Sequence, residues 1–194
     1  METGCEPPRV VAGMPMYNEE ETIGTVVTMA LRHVDEVICI DDGSSDSSAR
    51  IAEACGATVI RHRGNQGYGA ALKTLFKATR DSDAYILVVL DSDGQHDTAD
   101  IPKLIQPILD EEADFTIGSR FVEGGEGNDM PAYRRLGIKV ITAASNLTSD
   151  LGIKDTQSGF RAITRKAIDR LRIDAHGMEL TLEMLEDEKE KQLT

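Results

Sequence analysis

Short apolar runs alternate with amphipathic stretches along most of this chain. The clearest run is Tyr85-Ile86-Leu87-Val88-Val89-Leu90, which ends in Asp91-Ser92-Asp93-Gly94-Gln95-His96-Asp97. An unbroken apolar run of this length reads as a strand buried on both faces, at the centre of a parallel sheet. Upstream, strands are expected at Arg9 to Met14, Glu36 to Ile40 and Thr58 to Arg61. Glu19, Glu20 and Glu21 are read as opening a first helix that runs to about Leu31, where their charge favours the positive end. Asp46 or Ser47 caps the next helix, which stops near Gly56. The glycine-rich turn Gly64 to Gly69 enters a helix ending near Thr79. After the central strand, a helix from about Asp100 to Glu111 carries Pro102 in its first turn, and a strand follows from Asp114 to Gly118. Strands alternating with helices predict an α/β fold: three layers, α/β/α, around a mostly parallel, doubly wound sheet with right-handed crossovers.

Beyond Arg120 the texture changes. Glu123 to Asp129 is polar and glycine-rich, and Ala132 to Leu147 is read as an amphipathic helix carrying Arg134, Arg135 and Lys139. Asp155 to Arg161 then makes a turn into a short extended piece, followed by helices near Arg165 to Leu171 and from Gly177 to Gln192.

Composition narrows the function. The 194 residues are enough for a single domain with a sizeable core, 40% hydrophobic but only 4% aromatic and without Trp, so aliphatic packing carries that core. The net charge of −13 argues against a nucleic-acid partner. It also implies that an anionic substrate is met by a metal and a few placed arginines. Cys5, Cys39 and Cys55 lack paired or metal-type spacing, and Cys39 reads as a small buried hydrophobe in a reducing compartment. No stretch approaches the roughly 20 apolar residues that span a bilayer, and a soluble chain is expected.

Open α/β sheets bind ligands outside the carboxyl ends of their strands. Four such ends are expected on one edge: Pro15 to Glu19, Asp41 to Gly43, Asp91 to Asp93, and Gly118 to Arg120. Asp91 and Asp93, two carboxylates on a turn that Gly94 lets bend, suit Mg²⁺ or Mn²⁺; the alternative is a loop whose Asp residues cap the following helix. One of Asp41 and Asp42 is expected to do no more than make an Asx turn. His96 could line the site, although a lone polar His after a turn is more often solvated. Arg120, just past a strand end in an acidic protein, answers an anion.

The stretches MPMYNEEETI, IDDGSSD, GNQGYGAAL, LDSDGQHD, IGSRF and DTQSGFRA resemble, in order and spacing over most of residues 9 to 163, the family 2 glycosyltransferases, inverting enzymes of the GT-A (nucleotide-diphospho-sugar transferase) fold. Dolichyl- and polyprenyl-phosphate mannose and glucose synthases are the nearest likeness. The resemblance implies transfer of a hexose from a UDP- or GDP-sugar to a polyprenyl phosphate at the cytoplasmic membrane face. It implies that Pro15, Tyr17, Glu19, Asp41, Asp42, Asn65, Gly67, Asp91 and Ser92 bind the nucleotide sugar. Asp91, Asp93 and Gln95 would hold Mg²⁺ or Mn²⁺, Arg120 with Arg134 and Arg135 would hold the acceptor phosphate, and Asp155 with Arg120 would serve the chemistry. Residues 9–120 would then be the nucleotide-sugar half and 121–194 the acceptor half of one domain, shortened at its C-terminus relative to the family. The competing readings are a phosphatase of the haloacid-dehalogenase type, on the strand ending in Asp-Ser-Asp-Gly, and a nonenzymatic nucleotide-binding module. A nicotinamide-dependent oxidoreductase lacks its glycine fingerprint after the first strand.

Overall fold

A computed structural model describes residues 7–118, 138–141 and 159–170. The strands are β1 (Val10–Met16), β2 (Glu36–Asp41), β3 (Thr58–Arg61), β4 (Ile86–Val89), β5 (Phe115–Gly118), β6 (Ile138–Ile141) and β7 (Arg161–Thr164). The helices are α1 (Ile23–Ala30), α2 (Ser48–Ala54), α3 (Tyr68–Arg80), α4 (Ile101–Leu109) and α5 (Arg165–Arg170). One seven-stranded sheet has the order β3-β2-β1-β4-β7-β5-β6.

The first three ladders, β1 with β2, β1 with β4 and β2 with β3, are parallel. The parallel run ends at the next step, within the mostly parallel sheet that was expected. β7 inserts between β4 and β5 and pairs antiparallel with both, so β5 runs in the direction of β4 without touching it. β6 then adds antiparallel to β5. Five of the seven strands therefore point one way, and the sheet is mostly parallel.

Side chains alternate across the strands and divide the core in two. Ala12, Met14, Val37, Cys39, Val88 and Leu90 pack beneath α1, α2 and α4. Val11, Ile38, Ile40, Leu87 and Val89 face α3 and α5 through Leu72, Leu75, Phe76 and Ile168. This is the expected three-layer arrangement. Burial, with the Asp41 charge second, pushes the Cys39 thiol up to about 12, so it stays a neutral packing group. Two arginines tie α3 to α5. Arg165 donates to the carbonyls of Thr79, Arg80 and Ser82 at the end of α3, while Arg80 donates from Nε to Ile168 O at 3.2 Å. Each cation thereby faces carbonyls near a helix C-terminus.

One expected helix starts a little later, and another is corrected. α1 begins at Ile23, and Glu19 to Glu21 form the turn that leads into it, with the Thr22 and Ile23 amides both bonded to Glu19 O. Ile138–Ile141 lies inside the stretch read as a helix from Ala132 to Leu147, yet it is a strand. Its three β-branched residues favour extended backbone, and β5 offers a free ladder there. Among the described residues, no helix is long and apolar enough to cross a membrane.

Candidate functional site

The C-terminal ends of β1, β2 and β4 share one edge of the sheet with the N-terminal end of the inserted β7. A cavity of about 290 Å³ opens there. β1 and its loop supply Pro15, Tyr17 and Glu19; the end of β2 supplies Asp42; the entry to α3 supplies Asn65 and Gly67; and the end of β4 supplies Asp91, Ser92 and Asp93. Tyr17 is 47% exposed at the rim.

The adjacent carboxylates Asp41 and Asp42 separate completely. Asp41 is fully buried and away from the cavity. Its Oδ1 accepts the Ser44 amide three residues on at 2.8 Å, and its Oδ2 lies 3.0 Å from Arg61 Nε, an ionic contact off the hydrogen-bonding direction. Its expected place among the nucleotide ligands is therefore corrected: Asp41 shapes the loop. Asp42 lines the cavity, and its carboxylate accepts from His62 Nδ1 at 2.7 Å, from the Gln66 amide at 2.9 Å and from the Gly67 amide at 2.7 Å. Between these loops Gly43 adopts φ +79°, and a Cβ on it would stand 2.6 Å from Gly64 backbone atoms, so only glycine fits.

The loops after β1 and β2 are laced together. Asn18 donates from its amide to Ser44 Oγ at 2.9 Å and accepts from the Ser45 amide at 2.9 Å, with its own φ at 55°. The Glu19 amide donates to Ser48 Oγ, the Glu20 amide to Asp46 Oδ2, and the Ser47 amide returns a bond to Glu20 Oε2. Asp46 also accepts from Ser48 through both its amide and its hydroxyl. Burial opposes the Asp46 charge, but these hydrogen bonds outweigh it and hold the carboxyl below its ordinary range.

The tip of β4 is fastened just as closely. Ser92 donates to Pro15 O at 3.0 Å, and Thr22 donates to Ser92 O at 2.8 Å. Asp91 is crowded from three sides. Backbone at Gly159 covers it so tightly that a Cβ there would lie 2.2 Å from Oδ2. His96 Nε2 stands 3.3 Å from Oδ2, and the Tyr68 phenol, which accepts from Arg161 at 3.3 Å, lies within reach of the Asp91 charge. Burial, opposed by Arg161 and reinforced by Asp91, raises the Tyr68 pKa. His96 is not solvated: its side chain is 5% exposed, and its ring stacks on Phe160 with centroids 5.3 Å apart.

Asp93 opens on the cavity, and its Oδ1 accepts the Gln95 amide at 2.9 Å. Gln95 itself is exposed and does not line the cavity. The cap of the following 3₁₀ turn is Asp97, whose Oδ1 accepts the Ala99 amide, so neither Asp91 nor Asp93 has that role. Among the described residues, no three His, Cys, Asp or Glu side chains stand close enough to hold an ion by themselves. Mg²⁺ and Mn²⁺ commonly need only one or two protein carboxylates beside substrate phosphates, and the Asp91–Asp93 pair fits that partial set.

Gly118 ends two strands away from β4, beside Phe160, whose carbonyl accepts its amide at 2.9 Å. Arg120, Arg134, Arg135 and Asp155 lie outside the described residues. Tyr68, Arg161 and Gly159 are site residues that sequence reasoning passed over. Tyr68 stood in view within the glycine-rich turn, but nothing in its spacing marks a phenol within reach of Asp91.

The model of "Glycosyl transferase family 2" matches residues 12–172. A UDP-N-acetylglucosamine–dolichyl-phosphate N-acetylglucosaminyltransferase of Methanococcus voltae is 32% identical over 173 residues, covering 80% of this chain and 69% of that protein. A dolichol-phosphate mannosyltransferase of Pyrococcus furiosus is 31% identical over 182 residues, covering 89% of this chain and 51% of that protein. Among solved structures, glucosyl-3-phosphoglycerate synthase from Mycobacterium tuberculosis in complex with Mn²⁺, UDP-glucose and phosphoglyceric acid superposes with a TM-score of 0.69 at 27% identity, covering 95% of this chain and 66% of that one.

Proposed function

The chain belongs to glycosyl transferase family 2, and we propose that it moves a hexose, with inversion, from a UDP- or GDP-sugar to a polyprenyl phosphate presented at a membrane surface. One observation carries this reading: a single cavity joins an exposed aromatic ring and a fixed carboxylate at one end, Tyr17 and Asp42, to the Asp91–Asp93 pair at the other. That is the layout a nucleotide sugar needs, with base and ribose near β1 and β2 and the diphosphate at the tip of β4.

In this reading Asp42 accepts a hydrogen bond from the base, Tyr17 and Pro15 frame the base, and Asn65 and Gly67 meet the nucleoside from the α3 side. Asp91, hemmed in by His96 and the Gly159 backbone, would turn its carboxylate toward the diphosphate end. Asp91 and Asp93 would hold Mg²⁺ or Mn²⁺, with Gln95 beside them, and the ion would neutralise charge that grows on the leaving diphosphate. The bond from the sugar's anomeric carbon to the diphosphate breaks as a bond from the acceptor oxygen forms on the opposite face. A phosphate acceptor is already ionised near neutral pH. Asp155 therefore orients it and has no proton to remove, while Arg120, Arg134 and Arg135 supply its counter-charge. Membership of the family replaces the phosphatase alternative.

The test is a thermal-shift screen of UDP- and GDP-sugars with Mn²⁺. At least one is expected to raise the unfolding midpoint by several degrees, and Asp93→Ala is expected to remove the Mn²⁺-dependent part of that shift. A shift of unchanged size in Asp93→Ala overturns the metal assignment. Binding without sugar transfer to any polyprenyl phosphate favours the nonenzymatic module.

A further inference from the structure

Asp42 has little acceptor capacity left. An ionised carboxylate offers about four lone-pair sites. Oδ1 accepts from His62 Nδ1 at 2.7 Å and from the Gln66 amide at 2.9 Å. Oδ2 accepts from the Gly67 amide at 2.7 Å and, more weakly, from the same Gln66 amide at 3.1 Å. Counting that shared amide once, on Oδ1 where it is closer, one site remains, on Oδ2. His62 is fixed in turn: its Nε2 meets Thr74 Oγ1 at 2.8 Å, and its side chain is 10% exposed. Because Nδ1 faces a carboxylate, it must carry the proton. Next to Asp42, Asn65 accepts the Gly67 amide with Oδ1 at 3.1 Å, which leaves its NH₂ group as a donor on the cavity.

A base facing this edge meets one acceptor beside one donor. The uracil edge, N3–H next to a carbonyl, matches that pair. Guanine presents N1–H and an amino group side by side, and a carboxylate satisfies both only when both its oxygens are open. Here the second is closed by His62 and Gln66, so the guanine amino group loses its partner. We propose that His62, braced by Thr74, is a positioning residue that leaves Asp42 a single spare acceptor and makes this pocket select uracil over guanine, so that the donor is a UDP-sugar. The inference rests on the nucleotide-pocket reading above and adds the identity of the base.

Calorimetric titration with UDP, IDP and GDP in Mn²⁺ tests it, since IDP is GDP without the amino group. UDP is expected to bind about tenfold or more tighter than GDP, with IDP between them. His62→Leu frees the carboxylate to turn, and the UDP-to-GDP and IDP-to-GDP ratios are expected to shrink several-fold. His62→Asn keeps an N–H toward Asp42 and is expected to hold both ratios within about twofold of wild type. Thr74→Val, which loses only a hydroxyl, gives a milder version of the His62→Leu result and serves if that variant does not fold. GDP binding as tightly as UDP or more tightly than IDP overturns the inference, as does a His62→Leu variant that weakens all three in parallel. If none of the three nucleotides binds, the nucleotide-pocket reading itself falls and takes this inference with it.

Discussion

Asp41 and Asp42 show how far one peptide bond can separate two identical side chains. On a strand end, consecutive residues point to opposite faces, so one carboxylate turns into the loop and the other into the cavity. The sequence carries the pair and the expectation that one of them is structural; which one depends on side-chain direction, which no motif states. His96 is a similar case, since its burial depends on Phe160, which lies 64 residues away and reaches it only through the insertion of β7. Gly159 has a sharper consequence. Its absent side chain is what lets β7 approach Asp91, and the place a methyl would take is already filled by carboxylate oxygens at 2.2 and 2.3 Å. Gly159→Ala is therefore expected to destabilise the fold by about 1–3 kcal/mol through overpacking. It should also weaken Mn²⁺-dependent nucleotide binding, because Asp91 must turn away to make room. Urea unfolding and calorimetry on the same variant check both effects. Native-like affinity would mean that Asp91 tolerates displacement and does not face the ligand.

At the scale of elements, the strands of the first half were legible because short apolar runs bounded by turn residues leave few alternatives. β1 to β5 fall within about two residues of their expected bounds. The direction and neighbours of β7 were not legible. Four residues, Arg-Ala-Ile-Thr, carry no mark of which strand they will join, and the insertion is decided by long-range packing. The acidic triplet Glu19 to Glu21 lies just ahead of α1. Its residues form the turn that enters α1, and their amides, which a helix start leaves free, are met by Ser48 and Asp46 from the neighbouring loop. That lacing holds the rim carrying Tyr17 and Glu19 against the loop carrying Asp42. Asp46→Ala removes acceptors for the Ser48 amide and hydroxyl and for the Glu20 amide, and is expected to cost about 1 kcal/mol at pH 7. The cost is also pH-dependent. Because the folded carboxyl titrates below its unfolded value, an acidifying solution protonates the unfolded chain first. The contribution of Asp46 is thus complete above the unfolded carboxyl range, near pH 4 and upward, and is lost as pH falls through the folded value. Unfolding curves of wild type and Asp46→Ala should converge as pH drops below about 4. A gap that stays constant down to acid would assign the effect to packing.

The whole molecule carries a charge of −13 yet is read here as binding an anionic donor and an anionic acceptor. Self-repulsion of that size opposes the compact state, and it is a long-range effect that dissolved salt removes. The Debye length falls from about 10 Å at 0.1 M to about 3 Å at 1 M, which is shorter than most distances between like charges on a domain of this size. Salt also weakens attractions, but the ion pairs of Arg9 with Asp83, Lys103 with Asp100 and Lys166 with Asp114 lie partly in solvent, where each contributes little. The net repulsion is long-range, whereas these solvent-facing pairs among the described residues are individually weak, so screening is expected to stabilise on balance. Raising KCl from about 0.1 to 1 M should add on the order of 1 kcal/mol, or about 2–4 °C in the unfolding midpoint for a chain of this length. Potassium sulfate at matched ionic strength should give a larger rise, because sulfate adds surface exclusion to screening. A midpoint that falls with KCl would mean that the exposed pairs outweigh the net charge. The anionic ligands would then have to be attracted by local cations and not merely relieved of a distant repulsion.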